Sequence, residues 1–186
     1  MIDKKTKILN SAIELFVRNG FDRVSTAEIS RNASVATGTM FYHFKTKEDI
    51  IITAYKRIKK SIIEQTAIKE NLVISPREEL KSLWKNLIHW GLEHKAEVQY
   101  LLQFKNSPYY CDNLMAEDDT WKARKSWWEE GIKQKKFKQV PLDFLLSTFN
   151  TLLFGTIEYL MRDNKNSSEY IDFSFEMCWD SIKLDS

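Results

Sequence analysis

Residues that interrupt regular structure are scarce in this chain, and this scarcity limits the possible folds more than any other feature. Only five glycines and three prolines occur in 186 residues, and the prolines stand at positions 76, 108 and 141. Between them, apolar residues recur every three or four positions, which is the period of an amphipathic helix. Long segments without either residue favour helices over a turn-rich β fold. The sequence therefore predicts an all-α protein of about nine helices.

The first four helices are predicted in the N-terminal third of the chain. The stretch KKTKILNSAIELFVRNG has the apolar spacing of one amphipathic helix, which ends at its glycine. Ser25 and Glu28 are spaced for a capping box at the start of a second, short helix. A third helix is predicted over about 37–44. Thr46, with Asp49 three positions later, begins a fourth helix that extends to about residue 70.

The later helices differ in how much of their circumference is apolar. They are predicted to start at Pro76 and to cover about 95–105, 114–136, 142–163 and 168–183. The last two are apolar on more than one face, so each must be buried on more than one side. A second copy of the chain is the expected cover, and a thick monomer core is the alternative. The candidate dimer-interface residues are Leu146, Leu153, Ile157, Phe175 and Trp179.

Charge is distributed unevenly along the sequence. Residues 1–60 hold 12 Lys and Arg against 6 Asp and Glu, a balance of +6, while the remaining residues hold 16 against 20. A basic block of this kind is typical of a nucleic-acid-binding module. The alternative is an ordinary solvated basic surface.

Residues 25–44 carry the spacing of a helix-turn-helix motif. The spacing of five residues would hold two short helices at a steep angle, and these are Ile29, Ala33, Val35, Met40 and His43. The second helix is then free to enter a DNA major groove. Because many short helix pairs satisfy this pattern, the motif alone does not identify a DNA-binding protein.

The wider string around the motif is more specific. The segments AIELFVRNGF, STAEI and VATGTMFYHFKTKED resemble the DNA-binding domain of the TetR/AcrR family of bacterial transcriptional repressors, and in particular those that control multidrug-efflux pumps. The similarity covers about residues 5–55 without a gap. The chain departs from the family pattern at five positions. These are Ser30 for alanine, Ser34 for a turn glycine, Ala36 for serine, Thr37 for lysine and Phe41 for tyrosine.

The resemblance implies a division of labour along the chain. Residues 1–46 would form the DNA-binding domain, and residues 47–186 would sense a ligand and form the homodimer. It also implies a repressor that binds a palindromic operator in double-stranded DNA as a dimer and is released by a small hydrophobic or aromatic effector.

Most candidate DNA contacts lie on the second helix of the motif. They are Thr26, Ala36, Thr37, Gly38, Thr39, Phe41, Tyr42, His43 and Lys47. Thr37 and Thr39 offer short hydroxyl and methyl groups to base edges, and Gly38 lets the backbone approach the groove wall. The remaining contacts would position the protein on the phosphate backbone.

Several of these residues have a structural alternative. For Thr26 the alternative to DNA contact is a role as a helix cap and nothing more. For Phe41 it is a place in the core, and for His43 it is a purely structural role. Met40 and Phe44 are predicted to lie in the core rather than on DNA.

All six tryptophans follow residue 80, in the half of the chain that would sense a ligand. Large aromatic residues commonly fill a helical core, and the alternative is that they line an apolar cavity. The family resemblance implies such a pocket among the middle helices. The candidate ligand-binding residues are Trp84, Phe104, Tyr109, Tyr110, Trp121, Trp128 and Phe149.

Catalytic and metal-binding motifs are missing from the sequence. His43, His89 and His94 do not have H-E-x-x-H spacing, no C-x-x-C occurs, and the glycines are too scattered for a phosphate-binding loop. We therefore expect no enzyme, no metal and no cofactor. A helical adaptor whose basic part binds an acidic protein is the remaining alternative, and it would lack a preference for a DNA sequence.

The expected location is the cytoplasm. The N-terminus has charge but no apolar segment of a signal peptide, and two cysteines, Cys111 and Cys178, suit a reducing compartment. The apolar run Phe144–Ile157 is too short to span a bilayer, so no membrane partner is expected.

Overall fold

The protein is built from α-helices joined by short connections. The computed structural model describes residues 3–66, 75–111, 114–163, 165 and 167–184. Within these ranges the helices are α1 (Lys4–Asn19), α2 (Thr26–Asn32), α3 (Thr37–His43), α4 (Lys47–Gln65), α5 (Pro76–Glu93), α6 (Lys95–Lys105), α7 (Asp119–Lys133), α8 (Leu142–Arg162) and α9 (Ser167–Ile182). The predicted all-α fold class is confirmed.

Most helices begin where the sequence supplies a capping residue. The Ser25 hydroxyl accepts the Glu28 N–H at 3.1 Å and starts α2. At α4, Thr46 and Asp49 bond reciprocally, with the Asp49 N–H donating to the Thr46 hydroxyl at 3.0 Å and the Thr46 N–H donating to the Asp49 carboxylate at 2.9 Å. Pro76 occupies the first turn of α5, where a missing N–H costs nothing. These local bonds satisfy backbone donors that a helix start leaves unpaired.

The seventh helix is shorter than the sequence predicts. It begins at Asp119 instead of residue 114, because the Asp118 carboxylate caps it by accepting the Trp121 N–H at 2.9 Å. Apolar spacing continues upstream of this cap, which is why the period alone placed the start too early. The predicted end of α4 near residue 70 lies outside the described residues.

The chain divides into two compact units, Met1–Ser61 with Lys95–Met115 and Ile62–His94 with Ala116–Ser186. By packing, α4 up to Ser61 and all of α6 belong with α1–α3, so the first unit extends well beyond residue 46. The functional boundary between residues 46 and 47 stays a prediction.

The first unit is organised around α1, which packs against α2, α3 and α6. Ile8 and Phe16 of α1 are fully buried. The Tyr100 hydroxyl of α6 donates to the Ile51 carbonyl of α4 at 2.7 Å, and the Gln103 amide donates to the Val17 carbonyl of α1 at 3.0 Å. α6 therefore links the C-terminal end of α1 to the second turn of α4 by hydrogen bonds as well as by packing.

The second unit is organised around α8, which packs against α5, α7 and α9. Gly91 of α5 faces Ile157 of α8 so closely that an added Cβ would lie 2.7 Å from the Ile157 side chain. On α7, an added Cβ at Gly131 would overlap the Phe137 ring. Both glycines are therefore explained by close approach within the protomer.

The eighth helix is longer than the apolar run that marks it in the sequence. Leu142–Arg162 is long and apolar enough to cross a membrane by length and composition, and only 28% of its most apolar stretch is buried in the protomer. The 14-residue apolar run is therefore shorter than the helix that contains it, which has 21 residues. One such helix is weak evidence for a membrane span, because core helices of soluble proteins have the same composition.

The two cysteines lie in different surroundings. Cys111 is exposed and Cys178 is buried, and they do not form a disulfide. Burial raises the pKa of the Cys178 thiol to about 12. That thiol stays protonated and unreactive at neutral pH.

The turn between α2 and α3 contains a residue in an unusual backbone conformation. Ser34 has a φ of 53°, in the left-handed region that costs a non-glycine residue about 1–2 kcal/mol. Its N–H donates to the Arg31 carbonyl at 3.1 Å, and the next N–H, of Val35, donates to the Ser30 carbonyl at 3.0 Å. The turn is therefore held by backbone bonds at a position where glycine would carry no strain, as the departure from the family pattern suggested.

We expect Ser34→Gly to raise the free energy of unfolding by up to about 1 kcal/mol. Relief of the left-handed strain outweighs the extra conformational freedom that glycine gives the unfolded chain. Urea unfolding followed by circular dichroism measures this difference. Arg31→Gly, at an exposed helical position nearby, is the control and should lower the same free energy by about 0.5–1 kcal/mol. Loss of stability in Ser34→Gly would contradict the assignment of strain to this turn.

Candidate nucleic-acid interface

Two buried side chains fix the orientation of α3. Met40 is completely buried and Phe44, directly after the helix, is 3% exposed. They face α1 and α2, whose Phe16 and Ile29 are also fully buried. Both residues are therefore core residues, as the sequence predicts, and the opposite face of α3 must point to solvent.

The solvent face of α3 carries the residues that the sequence selected as DNA contacts. Tyr42 is 79% exposed and Phe41 is 41% exposed. Ala36, Thr37 and Gly38 are exposed as well. Two exposed aromatic rings on a seven-residue helix form an unusual surface for a monomer.

The remaining predicted contacts are partly covered. Thr26, Thr39 and His43 are half-buried. The His43 and Tyr42 rings meet edge to face with their centroids 5.2 Å apart. Thr26 is the first residue of α2, and the capping role belongs to Ser25 instead, which leaves the Thr26 hydroxyl for another partner.

Gly38 has no structural explanation within the protein. A Cβ built at this position meets no atom within 4 Å, and its φ is not in the left-handed region. Alanine would therefore fit and would favour the helix. The glycine is consistent with a surface that another molecule approaches closely.

The Lys47 ammonium group points back into the protein. It donates to the carbonyl oxygens of Phe21, Val24 and Asp22 at 3.0, 3.3 and 3.5 Å. An ammonium group has three N–H donors, and these three carbonyls use all of them. In this geometry Lys47 ties the start of α4 to the α1–α2 loop. A contact between Lys47 and DNA stays a prediction, and it would require the ammonium group to leave these carbonyls.

The structure separates the predicted effector residues into two groups. Phe104, Tyr109 and Tyr110 lie in the first unit, where Phe104 is completely buried and stacks on Tyr55 at 4.3 Å. Phe21 contacts both Phe104 and Tyr109, with centroids 6.2 and 5.9 Å apart. These three residues therefore belong to the core of the first unit or to its edge.

The other predicted effector residues lie in the second unit. The Phe149 ring joins Trp84 and Trp128, at centroid distances of 5.3 and 5.1 Å. Trp128 also contacts Phe137 at 5.3 Å. Trp121 lies two turns before Trp128 on α7 and is half-buried. The sequence could not distinguish the two groups, because the unit to which each residue belongs depends on contacts between distant parts of the chain.

Three of the predicted dimer-interface residues are buried inside one protomer. Leu153, Ile157 and Phe175 are at most 4% exposed, so one protomer leaves almost none of their surface open to a second subunit. Leu146 and Trp179 are half-buried. The prediction chose the apolar stripe of α8 that faces α5, whereas a second stripe on the same helix remains exposed. Residues four apart, such as Gly155 and Tyr159, mark that second stripe in the sequence.

Comparisons with known proteins agree with the helix-turn-helix geometry. Residues 8–54 match the family described as bacterial regulatory proteins, tetR family. The fatty acid metabolism regulator protein of Bacillus subtilis (strain 168) is 33% identical over 182 residues, covering 87% of this chain and 86% of that protein. The chain belongs to the tetR family. As a tetR-family member it is a DNA-binding transcriptional regulator and not an enzyme.

Two further proteins are similar to this tetR-family regulator, one in sequence and one in structure. The HTH-type transcriptional regulator QacR of Staphylococcus aureus (strain Mu50) is 34% identical over 113 residues, 61% of this chain and 59% of that protein. The crystal structure of a tetR family transcription regulator from Shewanella sp. PV-4 has a TM-score of 0.90 and 21% identity, and covers 99% of this chain and 100% of that one. The fold is thus shared along the whole chain, although the sequences have diverged.

We expect Lys47→Met to lower the free energy of unfolding by about 1–3 kcal/mol, because three carbonyls lose a charged donor while the aliphatic stem remains. Chemical denaturation measures the loss. Lys45→Met is the control, since the Lys45 side chain is exposed and should change stability by less than about 0.5 kcal/mol. The opposite result would be unchanged stability together with a shallower salt dependence of DNA binding, with a slope that corresponds to one contacted phosphate fewer. That result would support the direct DNA contact suggested by the sequence.

Proposed function

We propose that this tetR-family regulator is a cytoplasmic repressor that binds a palindromic operator as a homodimer and is released by a small hydrophobic or aromatic effector. The observation that carries the DNA-binding part is the orientation of α3. Its buried anchors, Met40 and Phe44, leave Thr37, Gly38 and Tyr42 on the solvent face. A short helix of this kind on a basic unit fits the major groove of DNA.

The exposed residues divide by chemistry into those that suit contacts to base edges and those that suit contacts to the phosphate backbone. Thr37 and Thr39 offer hydroxyl and methyl groups that suit base edges and the thymine methyl group, with Gly38 between them allowing close approach. Tyr42 and His43 are neutral donors for phosphate oxygens. Of the remaining candidates, Thr26 is a third phosphate donor, while Ala36 and Phe41 contribute apolar contact. Tyr42 is 79% exposed and contacts the ring of its neighbour His43, which leaves its hydroxyl open to solvent and supports this role.

Selection of bound sequences from random DNA duplexes tests the proposal directly. We expect the purified protein to recover an inverted repeat whose half-sites lie about one helical turn, roughly 34–36 Å, apart. The logarithm of its affinity should fall linearly with the logarithm of salt concentration, with a slope of about −0.9 per contacted phosphate. Gly38→Ala is the matched variant, because the added methyl group meets no atom of the protein. It should keep the thermal stability and lose operator affinity at least about tenfold.

A protein that recovers no inverted repeat would contradict the proposal. Binding to acidic proteins but not to a preferred DNA sequence would favour the adaptor alternative. Equal operator affinity of Gly38→Ala and the original protein would exclude close backbone approach at this position.

The homodimer is proposed to form through the exposed stripes of α8 and α9. A groove of about 440 Å³ runs between these helices, and its lining includes Gly155, Tyr159, Tyr170, Phe173 and Met177. Phe173 is 63% exposed and Met177 is 52% exposed, which leaves a large apolar surface open in one protomer. Such a surface needs a cover in water.

Gly155 supports a helical cover in particular. It lies in the interior of α8, and a Cβ at this position meets no atom within 4 Å. A glycine there costs helix stability without relieving any contact inside the protomer. A helix of a second subunit that crosses at this point would explain it, and would form a four-helix bundle from two copies of α8 and α9.

We expect Phe173→Arg to raise the dissociation constant of the dimer about 30-fold or more, because an exposed aromatic side chain at the centre of such a groove is a typical binding hot spot. Sedimentation equilibrium over a range of protein concentrations measures it. Leu184→Arg makes a similar change at an exposed apolar residue after α9 and is the control. A Phe173→Arg protein that dimerises as strongly as the original would exclude this surface.

The sensing mechanism is proposed to act through α4. This helix contributes residues to both units, and Lys47 at its start is bonded to the α1–α2 loop. An effector that binds a conformer with α4 displaced would change the separation of the two α3 helices in the dimer. To release the operator, it must favour that conformer by a few kcal/mol.

Candidate effectors follow from the aromatic residues and from the relatives. The relative named as a fatty acid metabolism regulator matches 87% of the chain, which includes most of the proposed sensing part. We therefore propose that fatty acids be tested first, beside aromatic compounds, by fluorescence anisotropy of a labelled operator. Release by neither class would leave DNA binding intact and refute the proposed effector class.

A further inference from the structure

The second unit contains a half-buried arginine with an unusual set of hydrogen-bond partners. Arg124 lies on α7, and its side chain is half-buried. Both terminal nitrogens donate to one oxygen, the Thr66 hydroxyl, at 3.3 Å. Among the described residues no carboxylate pairs with Arg124. Burial also lowers the pKa of its guanidinium, with no acidic neighbour acting in the opposite direction.

A second half-buried arginine in the same chain provides a comparison. Arg57 in the first unit also has a pKa lowered by burial, but Glu97 and Asp3 are close enough to offset part of that effect. Buried charges in proteins are usually paired in this way, because removal of a charge from water is costly. Arg124 departs from that rule, so its charge needs another explanation.

The hydrogen bonds to the Thr66 hydroxyl do not explain why a charged side chain is buried at position 124. Thr66 is completely buried, and its own hydroxyl proton is donated to the Ile62 carbonyl at 2.6 Å. The hydroxyl oxygen is a neutral acceptor, so a neutral amide side chain could form the same bond without the cost of burying a charge. A guanidinium has five N–H donors in a planar fork that matches a carboxylate or phosphate. The bond to Thr66 uses only two of its nitrogens.

The surroundings of Arg124 on α7 are aromatic. Trp121 is one turn before it and Trp127 and Trp128 are one turn after it, which places all four residues along neighbouring rows of one helix. Trp121 and Trp127 are half-buried, whereas Trp128 is 2% exposed and packs on Phe149. A cation is thus set beside a mostly apolar, aromatic surface, within the unit proposed to sense the effector.

We propose that Arg124 is the anion-binding residue of the effector site, and that the effector is an amphipathic molecule with one anionic group and an apolar body. The inference rests on the proposed function and narrows its effector class. The anionic group pairs with the guanidinium, and the apolar body packs along the tryptophans beside it. The anionic group would compete with the Thr66 hydroxyl for the N–H groups of Arg124. Because Thr66 directly follows α4, this competition would act on the end of that helix.

Three molecules with one tail and different head groups test this inference on the full-length protein without DNA. They are dodecanoate, dodecanol and dodecyltrimethylammonium, each used below its micelle concentration in isothermal titration calorimetry. A naphthyl series, 2-naphthoate against 2-naphthalenemethanol, repeats the comparison with an aromatic body. We expect at least one anion to bind about 10- to 100-fold more tightly than its neutral counterpart.

Substitutions then assign the preference to Arg124. Arg124→Gln should remove the 10- to 100-fold preference for the anion while the neutral compound binds as before. Arg124→Lys should retain part of the preference, because it keeps the charge but not the planar fork. Lys125→Gln is the matched control, since it removes a positive charge from the next, exposed position of α7 and should leave the preference unchanged. Thermal unfolding of each variant identifies any loss of folding.

The outcomes separate this inference from the proposed function. Equal binding of anion and neutral compound, preference for the cation, no binding of either anion, or an unchanged preference in Arg124→Gln would each overturn the inference. If Arg124→Gln does not fold, the inference is tested by comparing the preference for the anion in the original protein with that in Arg124→Lys. Operator release by a neutral or cationic compound would refute the role of Arg124 and leave the proposed repressor intact. Failure to select any operator would refute the repressor, whatever binds at Arg124.

Discussion

Burial of Met40 and Phe44 against the core of the first unit determines what the recognition helix can do. A helix of seven residues is too short to be stable alone, so tertiary packing must hold it. Because Met40 is completely buried, the residues on the opposite face of α3 have no freedom to turn inward. The same packing that stabilises α3 therefore exposes Thr37, Gly38 and Tyr42. The position of α3 and the exposure of its proposed DNA-contact residues are therefore both consequences of the same hydrophobic packing.

Much of this arrangement could be predicted from the sequence, because it depends on neighbours in the chain. The starts of α2 and α4 follow from Ser25 and Thr46, whose side chains bond to backbone N–H groups three residues away. The burial of Met40 follows from helical periodicity. The left-handed turn at Ser34 was suggested by the glycine that the family places there, and the backbone has that conformation.

Features that depend on distant parts of the chain could not be predicted. Lys47 was expected to meet DNA, but its ammonium group is bound by carbonyls more than 20 residues earlier in the sequence. The dimer prediction selected Leu153 and Ile157 because α8 has two apolar stripes of similar strength, and periodicity does not say which one faces α5. The isolated charge of Arg124 has no sequence signal at all. An arginine acquires that property only through the fold, which places Thr66 beside Arg124 and, among the described residues, pairs no carboxylate with it.

The contrast between the two cysteines has a practical consequence. Cys178 is buried with its pKa raised, whereas Cys111 is exposed in the same compact unit as α3. A maleimide dye will therefore attach at Cys111 alone under native conditions, without any engineered residue. In a homodimer this gives one fluorophore per protomer, and energy transfer between the two labels becomes a ruler for the spacing of the DNA-binding parts in solution.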